Sequence, residues 1–278
     1  MTESQECVKL NEHELRKMQL LQLDMLIEFD RICNKHNIGY ILDAGTLLGA
    51  VRNKGFIPWD DDIDVRMLRS EYEHFCRVVR KELDKGKYFF QNEETDPDYF
   101  WGYAKIRRNG TEFIRLGQEH LKMKTGVFID IFPCDGVPGN KMVRKIHNFF
   151  ALLSRKITYS RIGVRTEKNP IVRIGYRILM IFPVTLSFHI IHWLSRNCDE
   201  RRNNLVGCIA WYGDKDKTGF KKEWFTERQY IEFEGKQFQA PKDYHGFLVH
   251  SFGKDYMTPP PMEKRIGSAL ATSVKLID

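Results

Sequence analysis

"GTLLGAVRNKGFIPWDDDIDV", residues 45–65, sets four carboxylates, Asp60, Asp61, Asp62 and Asp64, directly behind a glycine-punctuated apolar segment. "DIDV" reads as a strand. Side chains two apart on a strand share a face, so Asp62 and Asp64 converge while Ile63 and Val65 enter the core. Two carboxylates that close repel one another unless a cation lies between them. Hard oxygen ligands on a rigid strand suit Mg²⁺, with Mn²⁺ as an alternative, and such ions take substrate phosphates as further ligands. A solvated acidic turn is the plain alternative. Against it stands the glycine upstream: Gly45-Thr46 closes one strand and opens a short helix, "TLLGAVR", whose free amides and dipole can receive a phosphate.

Outward from this stretch, residues 12–36 carry Met18, Leu21, Met25, Phe29 and Ile32 at steps of three and four, opened by Asn11 and Glu14 at capping-box spacing. An amphipathic helix is expected there, and "NIGYILDAG" (37–45) reads as a buried strand ending at Gly45. "LRSEYEHFCRVVRKELDKG" (68–86) reads as a helix stopped by Gly86. Three strand-like runs follow, "YFFQNE", "FWGYAKIRR" and "TEFIRL", and then a buried strand in "GVFIDIFPCDGVP" (126–138). Within its apolar run "VFIDIF" (127–132) Asp130 is an isolated carboxylate. An unpaired buried charge is expensive, so Asp130 is the candidate third carboxylate of the cluster, the alternatives being an edge-strand surface residue or a turn cap. The elements make an α+β mixed sheet core with flanking helices, followed by a helical, basic second half.

The composition is that of a folded globular chain, with 42% hydrophobic and 29% charged residues. Six cysteines and nine histidines show no C-x-x-C or H-x-x-x-H spacing, which predicts reduced thiols and no zinc site. The start, "MTESQECVKLNEHEL", is polar and acidic where a leader would be basic and then apolar, so a cytoplasmic location is expected. Residues 141–196 hold eleven Lys or Arg against Glu167 alone, a net of +10, which leaves −3 for the rest of a chain whose total is +7. Basicity confined to one segment points to a local anionic partner. That segment contains "ILMIFPVTLSFHIIHWL" (178–194), uncharged but only 17 residues long. With Arg173, Arg177 and Arg196 around it, an interfacial helix on an anionic membrane surface fits better than a span, and an ordinary buried helix stays open. Three regions are expected: a catalytic core over 1–140, a basic helical segment over 141–205, and a C-terminal region over 206–278 packed back on the core.

No G-x-x-x-x-G-K-[ST] is present, and glycines at 45, 49 and 55 do not fit G-x-G-x-x-G, so the phosphate cradle is of another kind. The run from Gly45-Thr46 through Gly49, Arg52, Gly55 and Trp59 to Asp62-Ile-Asp64 resembles the signature of the LicD family of phosphocholine transferases. Fukutin and fukutin-related protein are similar to that family, which has the nucleotidyltransferase fold. "YAKIRRNGTEF" (103–113), "FIDIFPCDGVP" and "FGKDYMTPPP" carry the resemblance along nearly the whole chain, most weakly over 141–200. Thr46 stands where the broad superfamily has Ser or Gly, and the spacer to Asp62 is longer than in polymerase-like members.

The resemblance implies CDP-choline or another CDP-alcohol as donor and a glycan or glycan precursor, such as lipopolysaccharide or teichoic acid, as acceptor. The acceptor oxygen would attack the phosphorus carrying choline, and CMP would leave. Asp62 and Asp64 would hold metal, with Asp130 completing the site and accepting the hydroxyl proton. Asp60 would either join through water or shape the turn after Trp59, and Asp61 is the carboxylate least suited to the metal. Arg52, Lys105 and Arg107 are the expected phosphate-binding cations, and Trp59, Phe100, Trp101 and Tyr103 the candidate faces for a trimethylammonium group. Two rival readings are a nucleotidyltransferase adding a nucleoside monophosphate and a non-catalytic nucleic-acid-binding protein. Against the second, the best motif is acidic and would repel a phosphate backbone, so no nucleic-acid partner is expected.

Overall fold

The computed structural model describes residues 7–211, 213–265 and 270–277. Residues 1–6, part of the N-terminal stretch read above for a leader, lie outside them. Asn11 caps α1 (Glu12–Lys35) through the expected reciprocal bonds with Glu14, and of its apolar stripe Met18, Met25, Phe29 and Ile32 are buried and Leu21 half-buried. β1 (Ile41–Leu42) is much shorter than the strand expected over 37–45, because α2 (Ala44–Asn53) already begins before Gly45. Asp43 N–H donates to the Asp64 carbonyl at 3.0 Å, which ties the start of α2 to β2 (Asp64–Leu68). α3 (Arg69–Glu82) stops at Leu83, three residues short of Gly86, where Lys87 and Tyr88 N–H groups turn back onto Asp84.

The three expected strands appear as β3 (Tyr88–Gln91), β4 (Ala104–Arg108) and β5 (Glu112–Arg115), and β6 (Phe128–Gly136) follows, buried along its whole length. The basic segment forms α4 (Lys141–Thr166), α5 (Pro170–Leu179) and α6 (Val184–Asn197). The chain then continues through β7 (Leu205–Gly207), α7 (Asp214–Thr218), β8 (Phe220–Lys221) and α8 (Glu223–Thr226). It closes with the hairpin of β9 (Arg228–Phe233) and β10 (Lys236–Pro241), then α9 (Tyr244–Phe252) and β11 (Ala271–Lys275). The mixed α+β architecture expected from the sequence is the one observed.

The main sheet runs β1-β2-β6-β4-β3, with β2 and β6 parallel and the other neighbours antiparallel. β6 is therefore central, and β7 pairs with its last residues, Asp135 and Gly136. α1 and α3 cover the sheet, placing Phe29, Phe75 and Phe90 in one aromatic cluster. β10 packs beside β1, where Gln239 and Tyr40 exchange hydrogen bonds, and β11 pairs with β5.

The seventeen-residue apolar stretch is not one helix. α5 ends at Leu179, α6 starts after Pro183, and the two are bent by 80°. Pro183 has no amide hydrogen to continue the ladder and stands at the N-cap of α6, which explains the break. Among the described residues no single helix is long and apolar enough to cross a membrane.

Candidate active site

The first turn of α2 is left open by its own cap residue. Asp43 makes no side-chain cap bond; its carboxylate instead takes the Nε of Arg66, whose Nη1 donates to Asp216 at 2.7 Å. Leu47 is the first amide to close on the Asp43 carbonyl, so the amides of Ala44, Gly45 and Thr46 stand at the positive end of the helix. Thr46 is buried, and its Oγ1 accepts the Asp64 N–H at 2.9 Å, locking the helix start to β2. Gly45 has a specific reason to lack a side chain: a Cβ there would collide with the carboxylate of Asp60.

The ladder of β2 begins at Asp64, so Asp62 precedes the strand and the two-residue alternation does not by itself unite Asp62 with Asp64. The segment before it is held by α1: Gln19 Nε2 donates to the Asp60 carbonyl at 2.9 Å and Gln22 Nε2 to that of Asp61 at 2.8 Å. Asp61, the carboxylate expected to be least suited to the metal, is gathered with Asp60 and Asp62, ligand oxygens of all three lying within 4.8 Å of one another. The later start of the strand is the physical reason, since no pleat forces Asp61 to the opposite face.

Asp64 stands in register with Asp130 across the parallel pair β2–β6, and Lys105 stands opposite Asp130 on β4. Asp130 is 3% exposed on the central strand, neither at an edge nor in a turn, and one of its oxygens takes the Lys105 ammonium. Lys105 also lies 3.6 Å from the centre of the Phe128 ring. Burial pulls Lys105 down to about 7 against the opposing charge of Asp130, with Arg115 and Arg107 adding to the fall. Arg115 Nη2 lies 3.8 Å from Asp130 Oδ2 and 4.0 Å from Asp62 Oδ2, bridging the two acids.

Burial, then the charges of Asp62 and Asp61, push the Asp60 carboxyl up to about 8. Burial, Asp62 and Asp130 drive Asp64 well above the usual carboxylate range. These carboxylates thus lie too close together to ionise comfortably, even with Lys105 and Arg115 beside Asp130. Their donor set is all hard oxygen, the chemistry that suits a divalent ion such as Mg²⁺.

The other expected residues are spread more widely. Arg107 is buried, its Nε donating to Gln91 Oε1 at 2.5 Å and its Nη1 to the Gly126 carbonyl at 2.7 Å. Arg52, in the last turn of α2, lies near Asp60 and donates to Asn53 and the Tyr256 carbonyl. Trp59 packs on the core with the Arg265 guanidinium 4.9 Å above its ring. Trp101 and Tyr103 face a cavity of about 320 Å³, whereas Phe100 lines a separate cleft and Trp59 neither, so the four aromatics do not converge. The cavity is also lined by Phe113, Phe128 and Trp211 and by Lys105, Arg107, Arg115 and Arg155, with no carboxylate among the described residues that line it.

Sequence reasoning missed Arg115. Its signal was available: in "TEFIRL" it lies two residues from Phe113, on the same strand face and so toward the core. The roles of Gln19 and Gln22 had a weaker signal, as buried amides on the stripe of α1.

A mixed sheet that sets clustered carboxylates beside an open helix start can hold a divalent ion next to a bound phosphate. Residues 37–157 match the family model described as "LicD/FKTN/FKRP, nucleotidyltransferase domain". The chain is 34% identical over 259 residues to the "Lipopolysaccharide cholinephosphotransferase LicD" of Haemophilus influenzae, covering 90% of this chain and 93% of that one. Shorter similarities, 38% over 66 residues and 33% over 78, link it to uncharacterised proteins of Rickettsia typhi and Rickettsia prowazekii, covering 24% and 26% of this chain and 21% and 29% of theirs. The chain belongs to the LicD family.

Proposed function

We propose that the protein transfers phosphocholine, or a closely related phospho-alcohol, from a CDP-alcohol to a hydroxyl of a glycan such as a lipopolysaccharide precursor, with Mg²⁺ or Mn²⁺ as cofactor. The observation that carries this reading is the grouping of Asp60, Asp61 and Asp62 beside the open first turn of α2, with Asp64 and its register partner Asp130 on the adjoining strands and Arg115 between Asp62 and Asp130. The likeness to the Haemophilus cholinephosphotransferase, over nearly the full length of both chains, supports the choice of group.

Asp62 and Asp64 would hold the metal, and Asp60 and Asp61 lie close enough to Asp62 to join it there. Bound there, a divalent ion would neutralise the donor's phosphate oxygens and the charge on departing CMP. The amides of Gly45 and Thr46 receive a phosphate oxygen at the helix start, and Arg52 adds positive charge at the helix's far end. Asp130 takes the proton of the acceptor hydroxyl at Oδ2, the oxygen that Lys105 does not hold. Arg115 keeps Asp62 and Asp130 from repelling one another, and Lys105 and Arg107 set the positive rim of the cavity. A cavity whose described lining carries four cations and no carboxylate suits the anionic nucleotide half of the donor, its base against the aromatic walls, better than it suits a trimethylammonium group.

The test is a screen of CDP-choline, CDP-ethanolamine and CDP-ribitol with Mg²⁺ and a lipopolysaccharide acceptor, read by CMP release. CMP release with CDP-choline that depends on acceptor and metal is expected; none with any CDP-alcohol contradicts the reading.

A further inference from the structure

α5 is a well-formed helix attached to the protein along a single edge. Asn169 caps it, accepting from Ile171 and Val172 N–H, and Pro170 opens its first turn. Tyr176 alone among its residues is buried. Its ring lies where a Cβ on Gly163 of α4 would sit, 5.6 Å from the Tyr159 ring, and its hydroxyl accepts from Lys156 Nζ at 3.2 Å. The opposite side of the helix is aliphatic and open. Ile171, Ile174 and Ile178 follow one another at steps of three and four, so they share a face, and Ile171 is 78% exposed. The turn that follows adds Ile181, 80% exposed, and Phe182.

Exposed isoleucines in a row are unusual on a soluble surface and mark a contact site. The surrounding charge identifies what makes that contact. Lys168, Arg173 and Arg177 flank the aliphatic face within a segment of net charge +10, whose one acid, Glu167, is engaged with the Asn169 N–H at 2.9 Å, while Asp98 of the core lines the cleft that Arg177 also lines. Ten residues of helix reach about 15 Å, roughly half the thickness of a bilayer's hydrocarbon layer, and the bend before α6 prevents a continuous span. A short helix with an aliphatic face and basic flanks is built to lie in the headgroup region of an anionic bilayer.

We propose that α5 and the turn after it, Ile171 to Phe182, dock the protein on an anionic lipid surface. The inference stands apart from the identity of the donor. Its geometric consequence concerns the site, because Arg155, Tyr159 and Ile162 of α4 line the cavity and Tyr159 also touches Tyr176 of α5. One helix layer would separate the membrane from the cavity.

The test is co-sedimentation of the full chain with vesicles of phosphatidylcholine alone and of phosphatidylcholine mixed with phosphatidylglycerol. Binding to the anionic vesicles at low salt is expected, weaker by about tenfold or more on neutral vesicles or at high salt. Arg173→Gln/Arg177→Gln should weaken it by about tenfold or more, and Ile174→Asp/Ile178→Asp should abolish it, with circular dichroism unchanged since all four side chains lie off the buried edge. Wild-type protein left in the supernatant with anionic vesicles at low salt overturns the proposal, as does undiminished binding by the Ile174→Asp/Ile178→Asp protein. Self-association that this variant loses, without vesicle binding by the wild type, would assign the face to a second copy and equally overturn it.

Discussion

Asp64 and Asp130 are register partners on neighbouring parallel strands, and each meets a different answer to its charge: Asp130 takes the Lys105 ammonium, whereas Asp64 is pushed well above the usual carboxylate range by burial, Asp62 and Asp130. A carboxyl whose folded pKa is raised contributes its stability at low pH and loses it as pH rises through the folded value. At neutral pH, without metal, Asp64 therefore destabilises the fold that presents it.

Asp64→Asn should raise the melting temperature in EDTA by about 2–4 °C, corresponding to about 1 kcal/mol for a chain of this size. The same change should reduce transfer by about 10³-fold, the scale of several kcal/mol of lost charge stabilisation. Saturating Mg²⁺ should raise the wild-type melting temperature and leave the variant's nearly unchanged. Thermal unfolding with and without Mg²⁺ checks this; an active Asp64→Asn enzyme contradicts it.

Arg115 approaches both Asp62 and Asp130 with one guanidinium nitrogen. A lysine carries the charge but not the planar fork. Arg115→Lys should lower kcat by about tenfold and Arg115→Ala by about 10²-fold, as expected for loss of a preorganised charge at a reacting centre. Steady-state kinetics at saturating metal decide it, and wild-type kcat in Arg115→Ala would remove this residue from the site.

Gly45→Ala places a methyl group where the Asp60 carboxylate lies. The obstacle is the end of a side chain, so Asp60 should move while the fold holds. We expect a loss of activity of about tenfold and little change in melting temperature. If the two residues act as a unit, Gly45→Ala combined with Asp60→Ala should be no worse than Asp60→Ala alone. Additive losses in that cycle would separate them.

His192 of α6 lies 3.0 Å from Glu93, a half-exposed pair joining the helical segment to the core side. The hydrogen bond with Glu93 raises the His192 pKa, so the stability it brings is complete below about pH 6.5 and fades as pH rises through the folded value. Solvent screening keeps that contribution below about 0.5 kcal/mol. His192→Gln should flatten this small slope in denaturation midpoints between pH 6 and 8, and an unchanged slope would show that the pair does not form.

How much of this was legible in the sequence depended on range. α1 could be read because a capping box and a three-four apolar step are local signals, and both appear as expected. "DDDIDV" also announced itself, but where the β2 ladder begins depends on pairing with β6 and on Gln19 and Gln22 from α1, which no local pattern contains. That is why the grouping of Asp61 with Asp60 and Asp62 could not be read from the local pattern. Lys105 and Arg107 were rightly placed on one strand, but their burial and their partners, Asp130 and Gln91, follow from the sheet order. Pro183 was visible throughout, yet hydropathy summed over seventeen residues conceals a single missing amide hydrogen.

The most direct test of the central claim is a transfer reaction with CDP-choline labelled separately in the choline and in the cytidine, in the presence of Mg²⁺ and lipopolysaccharide acceptor, compared between wild type and Asp62→Asn. The account predicts choline label on the acceptor and cytidine label in free CMP, both abolished in the variant. Cytidine label on the acceptor, or choline transfer undiminished in Asp62→Asn, would contradict it.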